Sequence, residues 1–387
     1  MKHLKYAPLL ICILLSYSLP AQAYPDFIGY GYSSCITCHN NGLGGGSLSD
    51  YGRALFATEI SARDIYPDKM EEEEIGAKSG FLGSTQLPWW VRPGAKYRGL
   101  WLKRALGAET SPEMWINMQL DLNLNFYLDK KQDIAIITTP SYISKEGGGY
   151  YSKTDTIFMK EYYLRYKVSK NWWAYLGQMD IAYGIRQIDH TMVSRAPIGL
   201  GMYSQSMGAI VHVTYPEWDL ALNAFVGNAA QEDELKQKGF SLTGEYQIVE
   251  KFKIGASLLN SESDQLKYNL MAITTRMGLS KGTSVMAEAG LKEITTVSTG
   301  DKKLGSYAYV QSLVNIRRGY NFLSVIENSK SDIQNSSTEI LKWSFGALLF
   351  PLPRSEVRMM LTNGKAFDDS TANEDVWALQ GQIHVSY

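Results

Sequence analysis

The chain has 387 residues with 38 basic and 39 acidic side chains, and a formal charge of −1 gives no electrostatic hold on nucleic acid. Hydrophobic residues make up 45%, which excludes a disordered or collagen-like chain, and three cysteines are too few to staple a fold of this size. Charged residues are only 20%, whereas Tyr alone numbers 25, an aromatic excess that an ordinary soluble core does not require.

The first segment reads as a Sec-type signal peptide, residues 1–23. Lys2, His3 and Lys5 form the charged start, Leu9 to Leu19 the apolar stretch, and Ala21-Gln22-Ala23 the cleavage signal before Tyr24. Leu9-Leu10-Ile11 before Cys12 lacks the small residues of a lipoprotein signal. Loss of Lys2 and Lys5 leaves 36 basic against 39 acidic side chains, a charge of −3, and two cysteines.

Those two fall in Cys35-Ile36-Thr37-Cys38-His39, the attachment pattern of haem c. Two thiols at this spacing each form a thioether to one porphyrin, and the adjacent His39 is placed as an axial iron ligand. A thioredoxin-like pair needs a βαβ setting and a structural zinc needs four ligands; neither is written around these residues. One covalent haem c is therefore expected. Asn40 to Gly46 is too glycine-rich for helix, and reads either as a close backbone approach to a flat ligand or as a flexible loop. Ser47 is expected to cap a helix with Leu48, Tyr51, Leu55, Phe56 and Ile60 on one face, as a small core or as a wall of the haem pocket. Arg53 is placed to pair with a haem propionate, or equally to lie exposed. Met70 precedes Glu71-Glu72-Glu73-Glu74, read as a hydrated spacer leading to Pro88-Trp89-Trp90. Residues 24–92 thus form a mostly α/loop cytochrome c-like segment and linker, and residues 93–387 a second unit.

That second unit alternates. Ile116, Met118, Leu120, Leu122, Leu124, Phe126 and Leu128 are interleaved with Asn117, Gln119, Asp121, Asn123 and Asn125, a period of two that only an extended strand can use. Phe240 to Ile248 and Trp377 to Tyr387 repeat the pattern, the latter ending on an aromatic residue. Tight turns are predicted at Lys130-Lys131, Ser169-Lys170, Pro216-Glu217, Glu250-Lys251, Ser280-Lys281, Arg318-Gly319 and Pro351-Pro353. Long loops are predicted at 106–113, 140–155, 181–202, 228–236, 260–265, 294–303, 329–337 and 363–374. Together they imply an all-β fold, an antiparallel transmembrane β-barrel of about 16 strands in the bacterial outer membrane, with the aromatic excess as two interfacial girdles. A soluble sandwich or propeller would have an apolar inner face, which the Asn117 to Asn125 face contradicts.

The sixth haem ligand is not written in the sequence. Met70 is one candidate. His212 and His384 are others, since the alternation turns both into the lumen near its periplasmic end; His190, in a long outer loop, is weaker.

The order of signal peptide, single haem motif and barrel, together with Cys35-x-x-Cys38-His39 and Leu48-Ser49-Asp50-Tyr51-Gly52-Arg53, resembles the fused monohaem cytochrome–porin family of bacterial outer membranes. Gly44-Gly45-Gly46 lengthens the gap between the two elements relative to that family's pattern. The resemblance implies an oxidoreductase that takes electrons from extracellular Fe(II), or exchanges them with another external redox donor or acceptor. It implies outer-membrane lipid around the barrel and a soluble periplasmic cytochrome as carrier. Two other readings remain open at this point: a diffusion channel with the haem segment as plug, gate or redox sensor, and a periplasmic electron store tethered to a barrel. No catalytic triad, paired carboxylates or nucleotide-binding loop stand out.

Overall fold

In hydrocarbon every backbone N–H and C=O needs a partner within the protein, so long alternating strands are satisfied only by closing on one another. The computed structural model, which describes residues 25–67, 69–80, 87–106, 109–144, 156–186, 192–367 and 375–386, shows that closure. The signal-peptide expectation, His190 and Tyr387 lie outside the described residues. Sixteen strands run in chain order: β1 Val91–Leu106, β2 Met114–Tyr127, β3 Ile134–Ile143, β4 Thr156–Lys167, β5 Trp172–Met179, β6 Ser206–Thr214, β7 Trp218–Phe225, β8 Lys238–Val249, β9 Phe252–Glu262, β10 Leu266–Ser280, β11 Thr283–Thr296, β12 Lys302–Arg317, β13 Tyr320–Lys330, β14 Glu339–Leu349, β15 Ser355–Phe367 and β16 Val376–Ser386. Each pairs antiparallel with the next, and β1 pairs with β16 through eleven residue partners from Lys96↔Ser386 to Leu106↔Val376. A two-residue piece, Glu109–Thr110, extends the β1–β2 hairpin. Among the described strands no free edge remains for another chain to join.

The alternation puts apolar side chains on the outside. Leu122 is 46% exposed while its neighbour Asn123 is 2% exposed, and Phe240, Leu242, Ile254, Leu258, Ile273, Leu379 and Ile383 face outward likewise. In water such a surface would aggregate; against lipid it is the stable arrangement. Trp115 and Trp377 mark one rim, and Trp90, Trp172 and Trp218 the other, where Trp218 packs on Tyr246 at 4.5 Å between ring centroids.

One phase of the pattern departs from the predicted one. The β1–β2 register shifts between Arg98 and Gly99, so Met118 and Gln119 are both buried in succession. This bulge turns Met118 inward, with Ile116 packed beside it, onto Leu100, Leu102 and Ala378 rather than outward to lipid.

All seven predicted tight turns fall between strands, and by their length they belong at the periplasmic end. Among the long loops, the one after β5 behaves differently from the outer loop predicted at 181–202: it folds into the lumen. Tyr183, Ile185, Met192, Ile198 and Tyr203 are buried there. Gly184 and Ile185 N–H groups donate to Ser257 Oγ (3.0 Å) and Glu288 Oε2 (2.6 Å), and Tyr203 Oη donates to the Met118 carbonyl (2.8 Å).

The N-terminal segment enters from the opposite end. Tight turns at Pro25–Tyr30 and Cys35–Thr37 lead to helix α1 (Asp50–Leu55), a single π-type turn (Phe56–Ile60) and helix α2 (Glu72–Lys78). Phe27 and Ile60 pack on the barrel residues Leu313, Leu323, Leu348, Phe350 and Met360. The glutamate run is hydrated as expected, with Glu71, Glu73 and Glu74 exposed, but it also starts a helix: Ile75 is fully buried, Glu72 meets Arg63 at 2.7 Å and Lys78 meets Glu74 at 2.7 Å.

Candidate haem site in the barrel lumen

The Cys-x-x-Cys-His run makes one tight turn, in which the N–H groups of Cys38 (3.2 Å) and His39 (3.0 Å) both donate to the Cys35 carbonyl. No disulfide joins the two cysteines. Chain reversal follows at once: His39 bridges to Leu48, and the Asn40 N–H donates to the Ser47 carbonyl at 3.0 Å. Between them Gly44, Gly45 and Gly46 take φ values of 90°, 72° and 60°, the left-handed region that glycine alone enters freely. A Cβ on Gly45 would lie 2.9 Å from the Arg186 guanidinium. Arg186 donates to the Gly44 carbonyl and Lys96 to the Gly46 carbonyl, so two lumen cations fix the loop.

Helix α1 is capped by Ser49, not by Ser47. The Ser49 Oγ accepts from the Gly52 N–H (3.1 Å) and donates to the Thr37 carbonyl (3.1 Å), which ties the helix to the haem motif. Ser47 instead accepts from Asn40 Nδ2 (3.1 Å) and, across to the barrel wall, from Asn125 Nδ2 (2.5 Å). Gly52 is the closest approach between helix and motif: a Cβ there would sit 2.3 Å from the Cys38 carbonyl oxygen. Gly52→Val is expected to push α1 off the motif at a cost of about 1–3 kcal/mol, typical of forced overpacking. The check is protease nicking of the N-terminal segment in detergent, which should rise while the heat-modifiable migration of the barrel on gels stays unchanged.

Barrel cations hold this segment by its carbonyls. Lys253 (3.1 Å) and Arg276 (3.2 Å) both donate to Ser33 O, and Arg165 donates to Asn40 O (3.1 Å). At the periplasmic turn Arg318 donates to Ser61 O (2.9 Å) and Ala57 O (3.1 Å). Tyr127 Oη donates to Asn40 Oδ1 at 2.7 Å. Hydrogen bonds to charged donors are each stronger than neutral ones, and here they are spread along the segment from Ser33 to Ser61.

What these contacts border is a space of about 1040 Å³ that includes open solvent. Segment and barrel build it jointly. Phe27, Leu48, Leu55, Phe56, Ile60 and Phe350 supply apolar walls, Cys38, His39 and His384 reach it, and Lys96, Arg186 and Arg354 bring positive charge. A flat apolar macrocycle with carboxylate edges fits that chemistry: apolar walls for the ring, cations for the carboxylates, a thiol and imidazoles for covalent and metal bonds. Cys35 lies on an adjoining space with Gly42 and Arg276, its Sγ 3.3 Å from where a Gly44 Cβ would be, and Gly44 lines the main cavity. Burial pushes the Cys35 thiol up to about 11, so it stays protonated and is a poor disulfide-exchange nucleophile at neutral pH. Burial, helped by the nearby Lys96 and Arg186 cations, pushes His39 down to about 3. Its imidazole is therefore neutral at ordinary pH, the form whose lone pair binds a metal.

The other predicted site residues separate. Arg53 is buried away from the cavity, its guanidinium donating to the Pro93 carbonyl of β1 at 2.8 Å, so it clamps α1 to the barrel rather than reaching a propionate. Met70 lies between Pro67 and α2, its carbonyl bonded to Arg63, and is not on the cavity wall. His212 faces the lumen as the alternation predicted, but its Nε2 is 2.8 Å from Asp219 Oδ1 and Gly42 covers its ring. Among the described sixth-ligand candidates, His384 alone lines the cavity. Missed by the sequence reading were Lys96 and Arg186. Lys96 was legible in principle, as a cation on the lumen phase of a strand.

No family model matches the chain, and no curated protein does. Solved structures do match. The anion-selective porin from Comamonas acidovorans aligns with a TM-score of 0.58 at 8% identity, over 77% of this chain and 99% of that one. The fold is that of an outer-membrane porin. OprB of Pseudomonas putida aligns at 0.59 with 8% identity, over 77% of this chain and 94% of its own. The outer-membrane channel DcaP of Acinetobacter baumannii aligns at 0.55 with 14% identity, over 77% and 97%.

Proposed function

We propose that this porin-like barrel is an outer-membrane electron conduit, in which the N-terminal segment carries one covalent haem c inside the lumen. Electrons pass between an extracellular donor, Fe(II) among the candidates, and a soluble periplasmic carrier. The observation that carries the reading is the cavity walled jointly by the haem motif and the barrel, with Cys38, His39 and His384 on its surface. When bound, the haem would supply a one-electron redox centre within an insulating wall whose apolar band is about 25 Å tall.

The chain's own part is to hold and to exclude. Cys35 and Cys38 would anchor the group, and His39, kept neutral by burial, would meet its iron. Lys96, bonded to the glycine loop, and Arg354 leave positive charge at the cavity edge for carboxylates, whereas Arg186 is already paired with Asp180 and Glu161. The inward loop after β5 covers the outer side of this assembly, and Arg186 belongs to it, so loop and haem segment are joined. The segment's other face sits at the short turns, against Gly282 and Arg318, where a periplasmic carrier has access.

A diffusion channel with the haem segment as plug, gate or sensor is the second reading, and the likeness in fold to porins favours it. The cation–carbonyl anchors inside the lumen count against a merely tethered periplasmic store. The first two readings part in one experiment. In proteoliposomes of known orientation, Fe(II) added only outside is expected to reduce the haem, read by its absorption bands. An unchanged spectrum, with reduction still achieved by a permeant reductant, would leave the channel.

A further inference from the structure

The cavity offers few groups able to complete an iron coordination shell opposite an axial imidazole. Besides His39 its lining holds two side chains with a nitrogen lone pair to give, Lys96 and His384, and no methionine. The Lys96 ammonium is bonded to the Gly46 carbonyl. His384 is differently placed. It stands on the lumen face of the last strand, paired across the ladder with Glu356 on one side and Arg98 on the other. Its Nδ1 is 3.5 Å from Glu356 Oε2, and Glu356 is itself held by Arg358 at 3.2 Å. Its Nε2 is completely buried and, among the described residues, has no hydrogen-bond partner. A buried nitrogen without a partner carries its full desolvation penalty unless something answers it. A ring with one nitrogen against a carboxylate and the other unanswered beside a cavity is how metal-binding imidazoles are set, since the carboxylate fixes the tautomer and raises the basicity of the ligating atom.

We propose that His384, through Nε2, is the sixth ligand of the haem iron, with Glu356 as its positioning residue. The barrel then contributes a bond to the haem, and the haem links segment to barrel at the last strand. The assignment rests on haem attachment in the lumen, so its test must separate the two.

The test uses the full-length, haem-loaded protein in detergent. With histidine labelled by 15N, hyperfine spectroscopy of the ferric wild type is expected to count two coordinating ring nitrogens on a low-spin iron. His384→Ala should become high-spin, gain fast cyanide binding, and return to low spin when imidazole is added. His384→Met should stay low-spin with a raised potential and a methionine–iron charge-transfer band, since a Met/His pair favours the reduced state. His212→Ala and Met70→Ala should leave the spin state unchanged. One coordinated imidazole in the wild type, or a low-spin His384→Ala protein, would overturn the ligand assignment while leaving haem attachment intact. Absence of covalent haem from the wild-type protein, by mass and haem stain, would overturn both together.

Discussion

The double variant Cys35→Ser/Cys38→Ser is expected to lose all covalent haem while its barrel still assembles. Outside the predicted signal peptide, which holds Cys12, the chain has no other cysteine, so no second thiol can substitute. Neither residue belongs to a strand, and the sixteen strands satisfy their backbone among themselves, so insertion and heat-modifiable migration should be unchanged. What remains for the haem is non-covalent: apolar walls, cations at the edge and imidazole donors. Such haem dissociates, and should transfer to an excess of a haem-free acceptor protein over hours, whereas the wild type should transfer none. The single variants should each keep one thioether and remain stained on denaturing gels. Intact mass and in-gel haem staining decide the matter. A double variant that still carries haem through denaturation would refute attachment at Cys35 and Cys38.

The barrel was legible because its two surfaces demand opposite chemistries with a period of two. In β2, Leu120 and Leu122 face lipid while Asp121, Asn123 and Asn125 face the lumen, and no other secondary structure uses that order. The turns were legible for a related reason: Pro, Gly and charged residues interrupt the alternation where backbone leaves the sheet. The bulge at Arg98/Gly99 was not, because Ile116 and Met118 are apolar and suit either lipid or an apolar lumen patch. The inward course of the loop after β5 was hidden by the solvent itself. Lumen and exterior are both aqueous, so a loop of Gly, Ser, Arg and Tyr carries no sign of which side it faces. For the proposed haem site, the motif named the candidate attachment residues, and strand phase turned His212 and His384 inward. Phase could not say that Asp219 would occupy one and Glu356 would back the other, since those distances are set by shear between strands. The two-residue error at the α1 cap has a similar cause: Ser47 and Ser49 are equivalent locally, and only the contact to Asn125 claims the first.

Release of the haem segment is expected to open the barrel. In planar bilayers the full chain should show little conductance, because the segment fills the lumen from the periplasmic turns and the loop after β5 fills it from outside. Deleting residues 25–86 should raise single-channel conductance by on the order of tenfold, since larger barrels without an internal plug leave an aqueous channel. The barrel survives that deletion on structural grounds, as β1 to β16 close without it. A milder form removes only the anchors. Lys253→Ala/Arg276→Ala leaves Ser33 without its two donors, and Arg165→Ala leaves the Asn40 carbonyl without its guanidinium. Combined, these should give flickering openings rather than a stable pore, because the loop contacts through Arg186 and Lys96 persist. The control is Arg53→Ala, which frees α1 from Pro93 but leaves the lumen anchors in place, and should conduct as little as the full chain. Full-length protein that already conducts like the emptied barrel would rule out the segment as a plug and, with it, a lumen sealed well enough to make the haem the sole path across the membrane.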